Sequence, residues 1–431
     1  MFETFRNAWK VEDLRKRILY TLLILVIFRL GCAVTVPYIN PAVLNSWFGN
    51  GNMLDYLNMM SGSALSQCAV FALGVSPYIN SSIIIQLLTV AIPALERLSK
   101  EGEEGRRKLT RITHYVGGGI AVGMSIGYYL ILRNLGALSY TTGWQGWFAA
   151  FVIVLCFTAG SQLITFLGEQ IDTKGIGSGV SLIIFAGIIS GWSGIITAVQ
   201  STLTAAQSQP LYYFYLPLMV VLALAAVVFV VIMTNAERRL PVQYAKRVVG
   251  RKMYGGQSSH IPIKVNMSGV MPVIFASALT SIPSTIGGFI SFDHAAHPVW
   301  AGFFNFFSYR GWGYMFLYLL LIIGFNYFYV AVQYNPVEIA NNLRQNNGAI
   351  PGIRPGKPTS DFITKVLSKI TLVGALFLGA VAVLPILLGN VTGLSIQLGG
   401  TGLLIVVGVA LDTSRSMESY MVMRHHKGFL E

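Results

Sequence analysis

Apolar stretches of about 20 residues recur along this chain, each long enough to cross a lipid bilayer as a helix. Of the 431 residues, 54% are hydrophobic and 11% are charged, and the mean hydropathy is +0.62. Soluble proteins do not have so apolar a composition. We therefore predict an all-α polytopic membrane protein with ten transmembrane helices, which begin near Ile18, Phe71, Thr113, Trp147, Ser178, Leu211, Met267, Gly311, Val366 and Leu394.

The first predicted span follows a basic segment, as the apolar part of a signal peptide would. Arg15, Lys16 and Arg17 precede it, but the apolar stretch is long and no small-residue cleavage site occurs before Pro37. These features favour a helix that is retained in the protein.

Positive charge is distributed unevenly between the loops that join the predicted spans. Lys and Arg total 30, and the net charge is +13. Most of these residues lie in alternate loops, namely residues 1–17, 93–112, 168–177, 234–266, 334–365 and 412–431. The positive-inside rule places these loops and both termini in the cytoplasm. Because membrane topology accounts for the charge, we expect no direct nucleic-acid specificity.

The sequence lacks the common signatures of nucleotide-hydrolysing enzymes and of zinc proteases. It has no Walker motif and no HExxH. Cys32, Cys68 and Cys156 lie in apolar surroundings without CxxC spacing, and the adjacent His425 and His426 have no further ligands at metal spacing. We therefore expect no metal, no cofactor and no enzymatic activity.

The span from Phe71 to Pro93 carries small polar residues and helix breakers in its first half. Lipid cannot satisfy the backbone groups that such residues expose, so they are tolerated where protein or a water-filled cavity supplies partners. We therefore expect this span to line a cavity. The residues concerned are Gly74, Pro77, Asn80, Ser81 and Ser82.

A second interrupted span begins near Met267 and corresponds to the first if the chain consists of two five-helix halves. Such halves are common in transporter-like folds, where the matching broken helices meet at the pathway. The division would fall in the outer loop between Gly191 and Pro210. Independent kinks in two unrelated helices are the alternative. The residues that interrupt the second span are Gly269, Pro272, Pro283, Gly287 and Gly288.

The outer segment between Pro37 and Gln67 is partly apolar but too short to span the membrane. It contains NMLDYLNMMSGSALSQ, with Asp55 as its one ionisable residue. It can fold back into a cavity, where it would act as a cork, or lie as a surface helix at the membrane interface. The sequence by itself leaves both alternatives open.

Ionisable residues are nearly absent from the predicted spans, which argues against a transporter coupled to protons or ions. Arg29 is the one clear case, and it can snorkel to a helix end or pair with a neighbour. The long inner loops 234–266 and 334–365 should protrude into the cytosol. Their Arg and Lys residues either follow from topology and lipid contact or dock an acidic partner surface.

Five blocks of sequence resemble the SecY family of bacterial protein-translocation channels over nearly the whole chain. They are SPYINSSIIIQLL, KEGEEGRRKLTR, GEQIDTKGIGSGVSLIIFAGII, YAKRVVGRKMYGGQSSHIPIKVNMSGVMP and GIRPGKPT. The resemblance implies two inverted five-helix halves, residues 1–200 and 201–431, around a central hourglass pore. It also implies that the pore opens sideways to lipid between the two interrupted spans.

The resemblance implies three sets of site residues. A ring of apolar side chains would seal the pore waist; without the resemblance, these isoleucines would be read as lipid-facing or packed. The matching positions are Ile79, Ile83, Ile184, Ile188, Ile274 and Ile405. A re-entrant plug at about residues 53–67 would lie on the outer side of the ring and include Met53, Leu54, Met59, Met60, Ser61, Gly62 and Leu65. A motor ATPase or the ribosome would dock at Arg247, Arg251 and Arg354.

The function implied is a passive channel in the bacterial plasma membrane for unfolded polypeptides. Signal sequences would leave it sideways into the lipid bilayer, because their apolar helices prefer lipid. The implied partners are SecE-like and SecG-like small membrane subunits, a SecA-like motor ATPase and the ribosome. The alternatives are a secondary transporter of a small solute, which needs a polar midplane site, and a structural scaffold, which leaves the paired interrupted spans unexplained.

Overall fold

The computed structural model describes most of the chain between residues 9 and 427. The described residues are 9–41, 43, 58, 61–191, 199–200, 202–204, 212–244, 247–249, 252–254, 258–289, 306, 311–392 and 400–427. Several predicted plug residues, and much of the outer loop between Gly191 and Pro210, therefore lie outside the described residues.

Each of the ten predicted spans coincides with a helix in the described part of the chain. Two further helices are short, α3 and α10. The bounds are α1 Glu12–Gly31, α2 Ser76–Ala91, α3 Pro93–Lys100, α4 Glu103–Asn134, α5 Gly143–Lys174, α6 Gly179–Ser190, α7 Tyr212–Asn235, α8 Met271–Phe289, α9 Trp312–Gln333, α10 Pro336–Gln345, α11 Lys357–Thr392 and α12 Gly400–Lys427.

Length and apolar composition qualify 5 of the described helices, α4, α5, α7, α9 and α11, as membrane-spanning. The bent pair of α2 and α3 would be a sixth, and α6 and the first part of α8 are shorter apolar helices. The protein is therefore a multi-pass membrane protein. The remaining predicted spans are helical but fall below these criteria of length or composition.

The interruption of the first broken span lies at its two ends and not among its polar residues. Gly74 has a φ of +55°, and α2 begins two residues later with Pro77 in its first turn, where proline costs no helical hydrogen bond. Asn80, Ser81 and Ser82 lie within regular helix. The helix ends at Ala91, and α3 follows after a bend of 102°.

Both long inner loops contain β-structure, which the sequence prediction did not include. Strands β1 Glu237–Tyr244, β4 Ser258–Lys264 and β5 Gly348–Ala349 form an antiparallel sheet in the order β4-β1-β5, and β2 Arg247–Val249 pairs with β3 Lys252–Tyr254. Because β5 belongs to the second loop, the two loops form one unit. Its small apolar core includes Leu240, Ile263, Leu343 and Leu367.

The largest apolar core joins residues from both predicted halves of the chain. It receives buried side chains from α1, α2, α5 and α6 and also from α7, α8, α9, α11 and α12. Side chains on the outer surface of the bundle are exposed and apolar, as in α7, where Leu224 is 63% and Val221 is 62% exposed. Lipid can cover such a surface without cost, because its tails are as apolar as these side chains.

Candidate functional site

The six isoleucines expected to form a ring lie together in the centre of the bundle. They come from four helices, α2, α6, α8 and α12, and all belong to the same buried cluster. Each is 7% exposed or less. Ile79 and Ile83 are one helical turn apart on α2 and therefore share a face of that helix. The same holds for Ile184 and Ile188 on α6. The six are part of a larger buried apolar core, to which other helices of the bundle also contribute.

A cavity of about 470 Å³ borders this cluster on the side of the inner loops. Ile184, Ile274 and Ile405 form part of its wall. Strand β4 and the middle of α12 form much of the rest, and they contribute charged side chains of both signs. The cavity therefore has an apolar end at the isoleucines and a polar end toward the cytosolic side. The charged residues of its wall are Lys264, Asp412 and Arg415.

Segment 61–69, which includes the described residues 61–67 of the predicted plug, lies on the other side of the isoleucine cluster. Gly62 has a φ of +69°, and a Cβ at this position would lie 3.2 Å from Cα of Gly187. Gly187 lies on α6 between Ile184 and Ile188. The segment thus touches the backbone of a helix that carries two of the six isoleucines. Ser61, Gly62 and Leu65 are all buried, so the segment lies inside the protein and not at the membrane interface.

Residues along α6 show the order in which the cavity, the isoleucine cluster and segment 61–69 follow one another across the protein. Ser181 borders the cavity, Ile184 borders both the cavity and the buried cluster, and Gly187 meets Gly62. At a rise of about 1.5 Å per residue, the distance from Ser181 to Gly187 along the helix axis is about 9 Å. The apolar barrier between the cavity and segment 61–69 is therefore thin, about two helical turns.

Side chains from two helices hold segment 61–69 in place through its backbone carbonyl groups. Arg29 Nη1 of α1 donates to the Gly62 carbonyl at 2.8 Å, and Tyr128 Oη of α4 donates to the Leu65 carbonyl at 2.7 Å. Cys32 Sγ donates to the Ser61 carbonyl at 3.6 Å. These bonds satisfy polar backbone that lies in an otherwise apolar region. The resemblance gave no role to Arg29, and only the structure connects it to the segment.

Helices α2 and α8, which belong to the two spans predicted to be interrupted, are in direct contact. Helix α8 is continuous from Met271 to Phe289, so Pro283, Gly287 and Gly288 do not end it. Both begin in the same way: Gly74 and Gly269 have φ values of +55° and +63°, and each glycine stands three residues before a proline in the first turn. The sequences are GVSPYI for residues 74–79 and GVMPVI for residues 269–274, so Ile79 and Ile274 hold the same position in the shared pattern. This G-V-x-P-x-I match is a sequence signal of internal repetition that the comparison by hydropathy missed.

Polar side chains of neighbouring helices fix the start of each interrupted helix. Ser161 Oγ of α5 donates to the Gly74 carbonyl at 3.4 Å. Before α8, Ser268 Oγ donates to Oδ1 of Asn326 on α9, and Asn326 Nδ2 in turn donates to the Thr371 carbonyl of α11 at 2.8 Å. Asn326 is only 3% exposed. Buried polar groups in such networks are costly to leave unpaired, so the position of these helix starts is strongly determined.

The structure describes the three arginines expected to dock a partner to different extents. Arg354 is exposed in a tight turn between β5 and α11, where its carbonyl accepts a hydrogen bond of 2.8 Å from Thr359 Oγ1. Gly352 and Gly356 flank it with φ values of +81° and +104°. Arg247 is the first residue of β2, and the structure describes only its backbone. Arg251 lies outside the described residues.

A model of the SecY family matches residues 69–414 of the chain. The chain belongs to the SecY family. It is 42% identical to the protein translocase subunit SecY of Halalkalibacterium halodurans and 43% identical to that of Thermus thermophilus. The alignments cover 100% of this chain and 100% and 98% of those relatives. The SecY resemblance drawn from the sequence blocks is thus confirmed.

Solved structures with the SecY fold are similar to this chain over nearly its full length. A structure described as a protein conducting channel has a TM-score of 0.66 and 18% identity, with coverage of 95% of this chain and 93% of that chain. A SecY structure whose plug domain is described as stabilising the closed state has a TM-score of 0.63, and Sec61 in a canine ribosome-channel complex has one of 0.61. At 17–18% identity these likenesses establish the SecY fold, as predicted.

Similarity in fold says nothing about the role of each individual site residue. The six isoleucines are brought together, and Ser61, Gly62 and Leu65 lie next to them. Met53, Leu54, Met59 and Met60 are outside the described residues. The parts that these residues play in sealing and docking therefore stay predictions.

Proposed function

We propose that this chain is the channel subunit of a protein translocase, through which unfolded polypeptides pass for secretion and from which membrane proteins insert sideways. The observation that carries the proposal is the central apolar core, which contains the six isoleucines from four helices and has a cavity on one side and segment 61–69 on the other. Relatives at 42–43% identity over the whole chain are named protein translocase subunits. The channel is passive, and the energy for transport comes from partners.

The isoleucine cluster is the proposed seal at the waist of the pore. Isoleucine side chains are stiff at χ1 and cannot form hydrogen bonds, so they fit around a passing chain without preferring any sequence. A narrow apolar constriction also excludes ions, because water leaves it readily. The predicted plug, residues 53–67, adds a second barrier on the outer side. The chain would in this way pass polypeptide and still hold back ions at rest.

The contact between α2 and α8 is the proposed side gate. An apolar signal helix that enters the pore can move into lipid if these two helices separate, and it gains stability there because lipid suits its side chains. The shared G-V-x-P-x-I pattern supports the division into halves 1–200 and 201–431, since α2 and α8 then hold equivalent places. The gate would lie where the two halves meet.

The proposed partners act from the cytosolic side and from within the membrane. Sec61 in one of the similar structures is described in a ribosome-channel complex, which supports docking of the ribosome to this chain. The inner loop unit, with the exposed Arg354 at its turn, offers basic groups for the ribosome or for a SecA-like motor ATPase. SecE-like and SecG-like subunits would cover part of the exposed apolar surface of the bundle.

The proposed location is the bacterial plasma membrane, with both termini in the cytoplasm. The concentration of Lys and Arg in alternate loops supports this orientation. It also agrees with the polar end of the cavity, which adjoins loop 234–266. The bacterial relatives support the choice of membrane.

Ion conductance in planar bilayers tests the proposal. Deletion of residues 53–67 combined with Ile83→Gly should raise the resting conductance well above that of the unchanged channel, because both barriers are weakened together. An unchanged seal would refute the roles of the ring and the plug. Purification of the chain with a small SecE-like subunit, and its binding to a SecA-like ATPase, tests the wider assignment. Absence of both would favour a transporter of small solutes.

A further inference from the structure

We propose that Arg29 is a positioning residue that holds the plug segment against the ring helix α6 in the resting channel. The inference rests on the proposed function and adds to it the residue that governs how firmly the plug is seated. The hydrogen bond from Arg29 Nη1 to the Gly62 carbonyl, 2.8 Å long, carries it. Among the described residues, no other lysine, arginine, histidine or acidic side chain bonds to the backbone of residues 61–69.

The position of Gly62 makes this bond important for the seal. Gly62 is the residue of the segment that touches the α6 backbone at Gly187, between the ring residues Ile184 and Ile188. Arg29 approaches the same glycine from α1, since its Nη1 would be 3.4 Å from a Cβ at Gly62. The guanidinium and α6 therefore enclose Gly62 together. A loss of the Arg29 bond frees the segment where it meets the ring.

The hydrogen bond between Arg29 and the Gly62 carbonyl, called the latch below, is of a kind that is strong in apolar surroundings. Arginine keeps its charge, and a hydrogen bond from a charged donor is about twice as strong as a neutral one. Although Arg29 is exposed on the surface of α1, its guanidinium finds the carbonyl of a buried residue. A charged side chain within the membrane is costly and is kept where it has a specific partner. The carbonyl of Gly62 is such a partner.

The conformation of the segment supports a latch that can be released. Ser63 and Cys68 have φ values of +67° and +50°, a region that residues with a Cβ seldom occupy. Strained backbone of this kind persists only where surrounding contacts determine it. Two of the contacts are the bonds from Arg29 and from Tyr128, which lie on different helices, α1 and α4. When one of them breaks, the strain favours movement of the segment.

The two bonds have different parts in the resting channel. Tyr128 is 5% exposed, packs against Phe157 with ring centroids 5.1 Å apart, and belongs with Leu65 to a separate apolar cluster. It therefore anchors the base of the segment to the body of the protein. Arg29 holds the part that meets α6. Removal of Arg29 should loosen the seal while the base stays attached.

The test compares four channels reconstituted into planar bilayers: the unchanged protein, Arg29→Gln, Arg29→Lys and the control Arg133→Gln. Arg133 is an exposed arginine in the last turn of α4. Its replacement removes the same charge, and none of the hydrogen bonds found for segment 61–69 involves its side chain. Resting ion conductance and the rate of motor-driven secretion of a precursor are measured for each, together with the thermal unfolding temperature in detergent.

Arg29→Gln should raise the resting conductance roughly ten-fold, as expected when a charged hydrogen bond is lost. Arg29→Lys keeps the charge and a donor, so its resting conductance should lie between that of Arg29→Gln and that of the unchanged protein. The control Arg133→Gln should have the same resting conductance as the unchanged protein. A resting conductance of Arg29→Gln equal to that of the unchanged channel would overturn the proposal. If Arg29→Gln unfolds at a lower temperature, the Arg29→Lys result decides: a leak at unchanged unfolding temperature supports the latch, and no leak refutes it.

Failure of the proposed function would look different. The unchanged protein would then secrete no precursor under any condition, whatever the conductance of the variants. If the unchanged protein secretes and seals and Arg29→Gln and Arg29→Lys also seal, only the latch is refuted.

Discussion

Gly62 and Gly187 are in backbone contact, because a Cβ at position 62 would lie 3.2 Å from Cα of Gly187. The contact brings the segment that follows α1 directly onto α6 at the level of the ring. Glycine is required at position 62 for two reasons, the φ of +69° and the short distance to the partner backbone. The seating of the segment therefore depends on one residue without a side chain.

We predict that Gly62→Ala increases the resting ion conductance. A left-handed alanine costs about 1–2 kcal/mol, and the added methyl group also meets α6, so the seated state becomes less populated. Planar-bilayer recordings measure the effect. The control is Gly119→Ala in α4, where no atom lies within 4 Å of the added Cβ and φ is not positive. If both variants seal as the unchanged protein does, the contact with α6 does not matter for the seal.

Neighbouring isoleucines on α6 allow a second prediction. Ile188 is 2% exposed in the central cluster, whereas Ile189 is 39% exposed on the outside of the helix. Ile188→Ala should raise the resting conductance several-fold, because the side chains around it lose contacts that they cannot replace. Ile189→Ala should leave it unchanged, since lipid replaces the lost contacts. Equal conductance of the two variants would remove Ile188 from the proposed ring.

The turn at Arg354 is the subject of the third prediction. Arg354→Glu should slow motor-driven secretion strongly, because it places a negative charge where an acidic partner surface is expected. The amount of the Arg354→Glu variant that is inserted into the membrane should be normal. Lys357→Glu is the matched control: it changes the same charge three residues later, at an exposed position to which we assign no role. Secretion and the amount of inserted protein are measured for both, and normal secretion by Arg354→Glu contradicts the docking assignment.

The buried Asn326 gives a prediction about stability. Asn326→Leu removes the bonds to Ser268 and to the Thr371 carbonyl, which leaves buried polar groups unpaired. We expect a loss of about 1–3 kcal/mol in the free energy of unfolding. Tyr327→Phe removes an exposed bond to the Ser368 carbonyl on the same pair of helices and should cost much less. Chemical denaturation in detergent measures the free energy of unfolding of both variants. Equal losses would show that the burial of the Asn326 hydrogen bonds does not account for the loss of stability.

The helices and their order were predictable from the sequence, because hydrophobicity over about 20 residues is a local property. The strands in the inner loops were not. Pairs such as Gln243 with Ala349 join residues more than 100 positions apart, and the apolar alternation, as at Leu240 and Val242, is too short to predict a strand.

The first broken span was predicted to be interrupted at Gly74, Pro77, Asn80, Ser81 and Ser82. The chain does break at Gly74, but the helix is regular from Pro77 through Ser82, and the second break, at Ile92, was not predicted.

The candidate site was predictable in part. The family resemblance selected the six isoleucines and the plug, but their apolar character alone did not separate them from the many other isoleucines of the chain. The repeated G-V-x-P-x-I pattern was present in the sequence and would have connected Ile79 with Ile274. The role of Arg29 had no local signal at all, since its partner is a backbone carbonyl 33 residues away.

The sequence by itself determined that the chain is a polytopic helical membrane protein, where its spans begin, and to which family it belongs. These follow from composition, from apolar length and from long blocks of residues in order. Only the tertiary structure decided which apolar side chains face one another at the centre, how segment 61–69 is held, and that the two inner loops fold together. The reason is physical: burial within a membrane depends on which helices are neighbours, and apolar residues that face lipid look the same in sequence as those that face the core.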